Sequence, residues 1–179
     1  MMLAGGATAH QLLWVQPSAR RRTYELRADG EVVATLRWPK GVLAHAATAH
    51  GQWTFMRSGF WHPRVTVRAT GADADTAVFT ARWTGTGTLD LRDGLQYHWT
   101  AANGWQSQWA WQASDGTPLV TFTVRQGLVK VEGRVETAPA AGTLPDLALL
   151  VALGWYLVVL RAWDTAATAS GAVAAVVSG

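Results

Sequence analysis

Between Gln11 and Glu136 apolar residues recur at every second position. Tyr24, Leu26 and Ala28 alternate with Thr23, Glu25 and Arg27. Val65, Val67 and Ala69 alternate with Arg64, Thr66 and Arg68, and Ala77, Phe79, Ala81 and Trp83 alternate with Thr76, Thr80 and Arg82. The same period runs through Val32–Trp38, Leu95–Thr100, Val120–Val124 and Val129–Val135. Successive side chains on a strand point to opposite faces, so this pattern predicts strands with one buried and one wet face. Between the runs, Asp29-Gly30, Asp93-Gly94, Asn103-Gly104 and Asp115-Gly116 supply the positive φ angles of tight hairpins. About twelve strands follow one another with no helical interruption, which predicts an antiparallel meander. A sheet that large tends to close on itself, which removes its exposed edges. The predicted fold class is therefore mainly β, a closed antiparallel barrel of about twelve strands.

The period changes once, after Glu136. Thr137 to Gly142 reads as a small-residue linker. Thr143-x-x-Asp146 then reads as a helix start, with Thr143 as N-cap, Pro145 in the first turn and Asp146 facing the backbone donors. From Leu147 to Leu160 no residue is polar except Tyr156. A helix apolar on every face lies inside a protein or inside a bilayer. At ~1.5 Å per residue the run spans about 21 Å, short of a bilayer core of roughly 30 Å. The preferred expectation is a hydrophobic C-terminal helix, about residues 143–162, enclosed by the barrel. It belongs to a single domain of residues 1–164, with a low-complexity tail over 165–179. A tail-anchored membrane protein stays open as an alternative, with Trp155 and Trp163 at the interface and Arg161 snorkelling.

A meander of about twelve strands from Gln11 to Glu136, followed by the apolar helix Leu147 to Leu160, resembles the Tubby C-terminal-like superfamily. That group includes Tubby-type, LURP-one-related and phospholipid-scramblase-like proteins. The resemblance is one of layout over nearly the whole chain. It implies a barrel that encloses its C-terminal helix and, for some relatives, binding of phospholipid headgroups at the membrane surface.

Composition changes this picture little. Of 179 residues, 49% are hydrophobic and 15% charged, enough apolar material for a large core and too little charge for disorder. The net charge is +3, and Lys40 and Lys130 are the only lysines among 15 basic residues. An Arg- and Ala-rich, Lys-poor balance points to a GC-rich bacterial genome and is discounted as a sign of nucleic-acid binding. There is no Cys, so disulfides, thiolate metal sites and Cys nucleophiles are excluded. Met1 to Ala9 has neither a basic n-region nor an adequate apolar h-region, so a secretory signal is not expected and the chain reads as cytoplasmic. The 11 Trp residues are expected to be mostly core.

Candidate chemistry is sparse. If the strands around Arg64–Thr70 and Thr76–Arg82 pair simply, Arg64 faces Arg82, Thr66 faces Thr80 and Arg68 faces Val78. Like charges in opposition suggest an anion partner, and guanidinium suits phosphate. The candidate anion or phospholipid site is thus Arg64, Arg82 and Arg68, against the plainer reading of solvated side chains that splay apart. Arg20-Arg21-Arg22 is a second cluster, either a solvated loop or a contact to acidic lipid. The dense group Trp99, Trp105, Trp109 and Trp111 reads as core packing by default, with sugar stacking or a lipid interface as the alternative. His45, His50, His62 and His98 do not converge, and Asp73 and Asp75 read as a solvated turn rather than a Ca²⁺ contact. Gly85-Thr86-Gly87 lacks the third glycine of a dinucleotide fingerprint, and no nucleophile or zincin motif occurs. No metal and no cofactor are expected, and no enzyme.

The leading functional expectation is a monomeric, non-enzymatic binding domain that touches anionic phospholipid or a protein partner at the membrane surface. The alternative from a different class is a lipocalin-like carrier of a small apolar ligand, with the helix outside an open barrel.

Overall fold

A computed structural model describes residues 11–59, 61–127 and 130–177, without the side chains of 126 and 171–177. Twelve strands form one closed antiparallel barrel. In chain order they are β1 (Leu12–Val15), β2 (Thr23–Ala28), β3 (Glu31–Lys40), β4 (Leu43–Thr48), β5 (Gly51–Ser58) and β6 (Arg64–Ala69). They continue as β7 (Ala77–Ala81), β8 (Gly87–Leu91), β9 (Gln96–Ala101), β10 (Gln108–Gln112), β11 (Pro118–Gln126) and β12 (Val131–Thr137). Each strand pairs with its neighbours in sequence, and β1 closes on β12 with Leu12 opposite Val135 and Trp14 opposite Gly133. The predicted barrel is therefore the observed one. Val129, placed in the last strand by its period, lies outside the described residues.

The alternation decides which side of each strand is buried. Tyr24 and Leu26 of β2, Val65 and Val67 of β6, Phe79 of β7 and Trp109 and Trp111 of β10 all point inward and are buried. Their target is a single helix, α1 (Leu147–Val177), which enters the barrel after a short 3₁₀ turn at Pro139–Ala141. Leu150, Leu153, Trp155 and Tyr156 on the helix have no exposed surface. Each such side chain removed from water contributes about 1.5–3 kcal/mol, so the helix is part of the core and not an appendage. The indoles of Trp14 and Trp155 stack with centroids 5.8 Å apart and planes 1° from parallel. Trp38 and Tyr156 stack at 5.5 Å.

Close approach of wall and helix requires glycine at two places. A Cβ on Gly154 of the helix would run into the Phe122 ring and come 2.9 Å from the Trp111 indole nitrogen. A Cβ on Gly133 of β12 would run into the Trp155 ring.

Three local expectations need correction. The helix starts at Leu147, after Asp146, and not at Thr143; Thr143 is exposed, and the Leu150 N–H bonds the Asp146 carbonyl at 2.9 Å. The Asp146 carboxylate is turned aside, accepting the Tyr97 hydroxyl at 3.0 Å. The tail from Thr165 continues the helix as far as Val177. Its hydroxyls are satisfied by bonds one turn back, Thr165 to the Arg161 carbonyl at 2.9 Å and Thr168 to that of Asp164 at 2.8 Å. At Asn103-Gly104 the positive φ falls on Gln106 instead. Asn103 organises a longer loop, its side-chain oxygen accepting the Ser107 and Gln108 N–H groups at 3.1 and 3.2 Å.

Candidate anion-binding cleft at the basic end of the barrel

In a sequential antiparallel barrel, alternate connections share an end. The loops after β1, β3, β5, β7, β9 and β11 form one end, and those after β2, β4, β6, β8 and β10, with the segment after β12, form the other. Charge is divided sharply between them. The first set carries Arg20, Arg21, Arg22, Arg82 and Lys130 and no carboxylate. The second carries Asp29, Asp73, Asp75, Asp93, Asp115 and Asp146, with Arg92 as its one strong base. A net charge of +3 conceals this separation, because the two ends largely cancel.

The helix runs from the acidic end to the basic end. It is buried from Leu149 to Leu160 apart from half-buried Leu157, is half-buried at Arg161, Ala162 and Trp163, and is exposed from Asp164 to Ser170. Three tryptophans stand out into solvent in the loops of this same end: Trp61 at 85% exposure, Trp83 at 97% and Trp105 at 92%. The expectation that the tryptophans are mostly core holds for Trp14, Trp38, Trp99, Trp109, Trp111 and Trp155, which are buried. The three fully exposed ones are collected where the helix leaves the barrel, while Trp53 and Trp163 are half-buried.

Beside the emerging helix is a cleft of about 440 Å³. Arg57 at the end of β5, Arg82 and Trp83 in the β7–β8 turn, Trp61 in the β5–β6 loop and Arg161 and Asp164 on the helix line it. Arg57 bonds the Asp164 carboxylate at 2.7 Å. The Arg161 guanidinium lies 4.8 Å over the Trp109 ring and donates to the Gln106 side-chain oxygen. Among the described residues, the Arg82 guanidinium has no hydrogen-bonding or ionic partner. Three guanidinium groups thus face one carboxylate, leaving the cleft cationic and forked donors available to an oxyanion.

On the opposite side of the helix, Arg22 covers the Trp163 ring at 4.8 Å. The Tyr156 hydroxyl donates to the Val42 carbonyl at 2.7 Å, and burial pushes its pKa up, outweighing the lowering by Arg57. It stays neutral and is a structural donor. Among the described residues no three His, Asp or Glu side chains gather as a metal set.

Of the three arginines singled out from the sequence, the structure places one in this cleft. Arg82 lines it, but it is not opposite Arg64. The β6–β7 register sets Arg64 against Thr80 and Thr66 against Val78. Parity could not separate these registers, because a slip of two residues keeps the same side chains inward. The turn decides: the Thr76 N–H bonds the Val67 carbonyl at 2.8 Å and its hydroxyl accepts the Ala69 N–H at 3.0 Å. Arg68 sits at the acidic end and is matched by Asp75 at 2.7 Å. Asp75 is accordingly an ion-pair partner in its turn. Arg57 and Arg161 were missed as site residues. Arg161 had a signal, a cation at the end of an apolar run; Arg57 had none, since its role depends on where the helix emerges.

No protein family, curated protein or solved structure matches the chain. The site is therefore read from its own geometry.

Proposed function

We propose that the protein is a non-enzymatic, Tubby-like binding domain that docks its basic end on an anionic phospholipid surface, with a headgroup phosphate held in the Arg57/Arg82/Arg161 cleft. The observation that carries this is the coincidence, at one end of the barrel, of an excess of cations over carboxylates, projecting tryptophans and the emerging helix. Amphipathic indoles favour the headgroup region of a bilayer. Cations close to an anionic leaflet contribute about 1 kcal/mol each. The acidic end points the other way and disfavours the inverted orientation. A barrel wrapped around its C-terminal helix supports the Tubby-like reading, some of whose members bind phospholipid headgroups. The protein would then work at the cytoplasmic face of a membrane as a peripheral domain.

The test is sedimentation with vesicles of phosphatidylcholine alone and with added phosphatidylserine or phosphoinositide. Binding is expected only with anionic lipid and is expected to weaken as salt rises. Arg82→Glu reverses one charge and should lower affinity about 30-fold, at ~1 kcal/mol per unit charge. Trp83→Ala should weaken binding with little change in salt dependence. Equal binding to neutral and anionic vesicles, or no binding to either, contradicts the reading.

A further inference from the structure

The helix does not fill the barrel evenly. At the acidic end, beside its first turns, a cavity of about 1140 Å³ opens between α1 and the wall formed by β1, β2, β3, β4 and β12. Its walls are apolar: Leu12, Leu26, Ala34 and Val135 from the strands, Leu147 and Val151 from the helix. Its mouth is polar, with His50, Thr48, Arg134 and Glu136. Small-molecule sites typically occupy roughly 300–1,000 Å³, with an apolar body and a few polar groups at one side. This space is somewhat above that range and has the apolar body with polar groups at one side. It shares no lining residue with the cationic cleft.

We propose that this cavity holds the chain of a single-chain amphiphile whose polar head is uncharged, such as a monoacylglycerol or a long-chain alcohol. The apolar walls, unoccupied by the helix, call for a hydrocarbon chain. The surroundings select the head. Arg134 and Glu136 at the mouth carry opposite charges, and the loops of this end carry Asp73, Asp93, Asp115 and Asp146 against Arg92, besides Asp75, which Arg68 matches. A carboxylate or phosphate head would enter a field that these carboxylates make negative, with Arg134, beside Glu136, as the single strongly basic lining residue. A hydroxyl or ester head finds polar partners in the His50 ring and the Glu136 carboxylate, while the Thr48 hydroxyl is already bonded to Gly51 and His50. The ligand chemistry is thus opposite to that of the basic end, and this site stands independently of membrane docking.

The test is isothermal titration of the full chain with monolauroylglycerol and with laurate, both below their micellar concentrations. Saturable one-to-one binding of the neutral lipid is expected, at least tenfold tighter than laurate. Ala148→Phe, from the half-buried helix side of the cavity, should weaken it at least tenfold with the melting temperature kept or raised. Ala28→Phe fills the same space from β2 and serves if the first variant does not fold. Arg82→Glu should leave this binding unchanged. Absence of saturable binding overturns the proposal. So does tighter binding of laurate, or unchanged affinity in folded cavity-filling variants.

Discussion

Trp111, on the barrel wall, donates its indole N–H to the main-chain carbonyl of Leu150, on the central helix, at 2.8 Å. Gly154 lies one turn further along, where a Cβ would come 2.9 Å from that same indole nitrogen. The absent methyl is what lets the wall reach the helix backbone. Gly154→Ala gains up to ~1 kcal/mol of helix propensity. It also forces a methyl into Phe122 and Trp111, an overpacking cost of about 1–3 kcal/mol. The expected net effect is destabilisation, read as a lower urea midpoint. A stabilised variant would mean that the two surfaces are not in contact.

The buried indoles are not equivalent. Trp111 has its acceptor, whereas the indole nitrogens of Trp14, Trp38 and Trp155 have none among the described residues. Trp155→Phe removes an unmatched donor along with part of a stacked ring; Trp111→Phe removes a matched one. A net hydrogen bond is worth about 1 kcal/mol, and leaving a buried donor unmet carries a cost of its own. Trp111→Phe is expected to be the more destabilising by about 1 kcal/mol or more in paired denaturation curves. The reverse order would show that the Trp155 nitrogen has a partner such as ordered water.

Alkaline pH should loosen the fold. Burial pushes Tyr24 up to about 12, partly offset by Arg22 and Trp163. Burial also pushes Tyr97 up to about 12, helped by its bond to the Asp146 carboxylate. Both hold their protons more tightly when folded than when unfolded, where a tyrosine titrates near 10. Their contribution is complete below pH 10 and is lost as pH rises through about 12. Tyrosinate absorbance and circular dichroism, followed together, should show deprotonation and unfolding in the same window. Tyr97→Phe should shallow the slope. A stability that does not change between pH 8 and 12 would contradict these environments.

Asp164 is the one carboxylate of the cationic cleft. Asp164→Asn breaks an exposed ion pair, at a cost in stability of about 0–1 kcal/mol. It leaves Arg57 unmatched, so affinity for anionic vesicles should rise about fivefold, at ~1 kcal/mol per charge. Weaker binding would show instead that Asp164 positions Arg57 for its ligand.

The barrel was legible because period two over so many strands, with Asp-Gly turns between them, admits little else. The helix was legible because Leu147 to Leu160 offers no wet face. What pattern could not reach was register. Arg64 faces Thr80 and not Arg82 because a Thr76 hydroxyl closes the turn, and parity is blind to a two-residue slip. Nor could it reach the polarity of the molecule, which appears only when alternate loops are sorted to their two ends. The helix runs past its expected end near residue 162, and as far as Ser170 its Thr and Ser hydroxyls bond back one turn, a local satisfaction that composition does not show.

The central claim is that the barrel encloses residues 147–160. Amide hydrogen exchange in detergent-free buffer tests it most directly. With the helix inside, the amides of residues 151–160 exchange only through global unfolding, at rates matching those of the Phe55, Phe79 and Phe122 amides on the wall. Exchange of that segment within minutes while the strands stay protected, or protection that appears only on adding lipid, would place the helix outside and contradict the account.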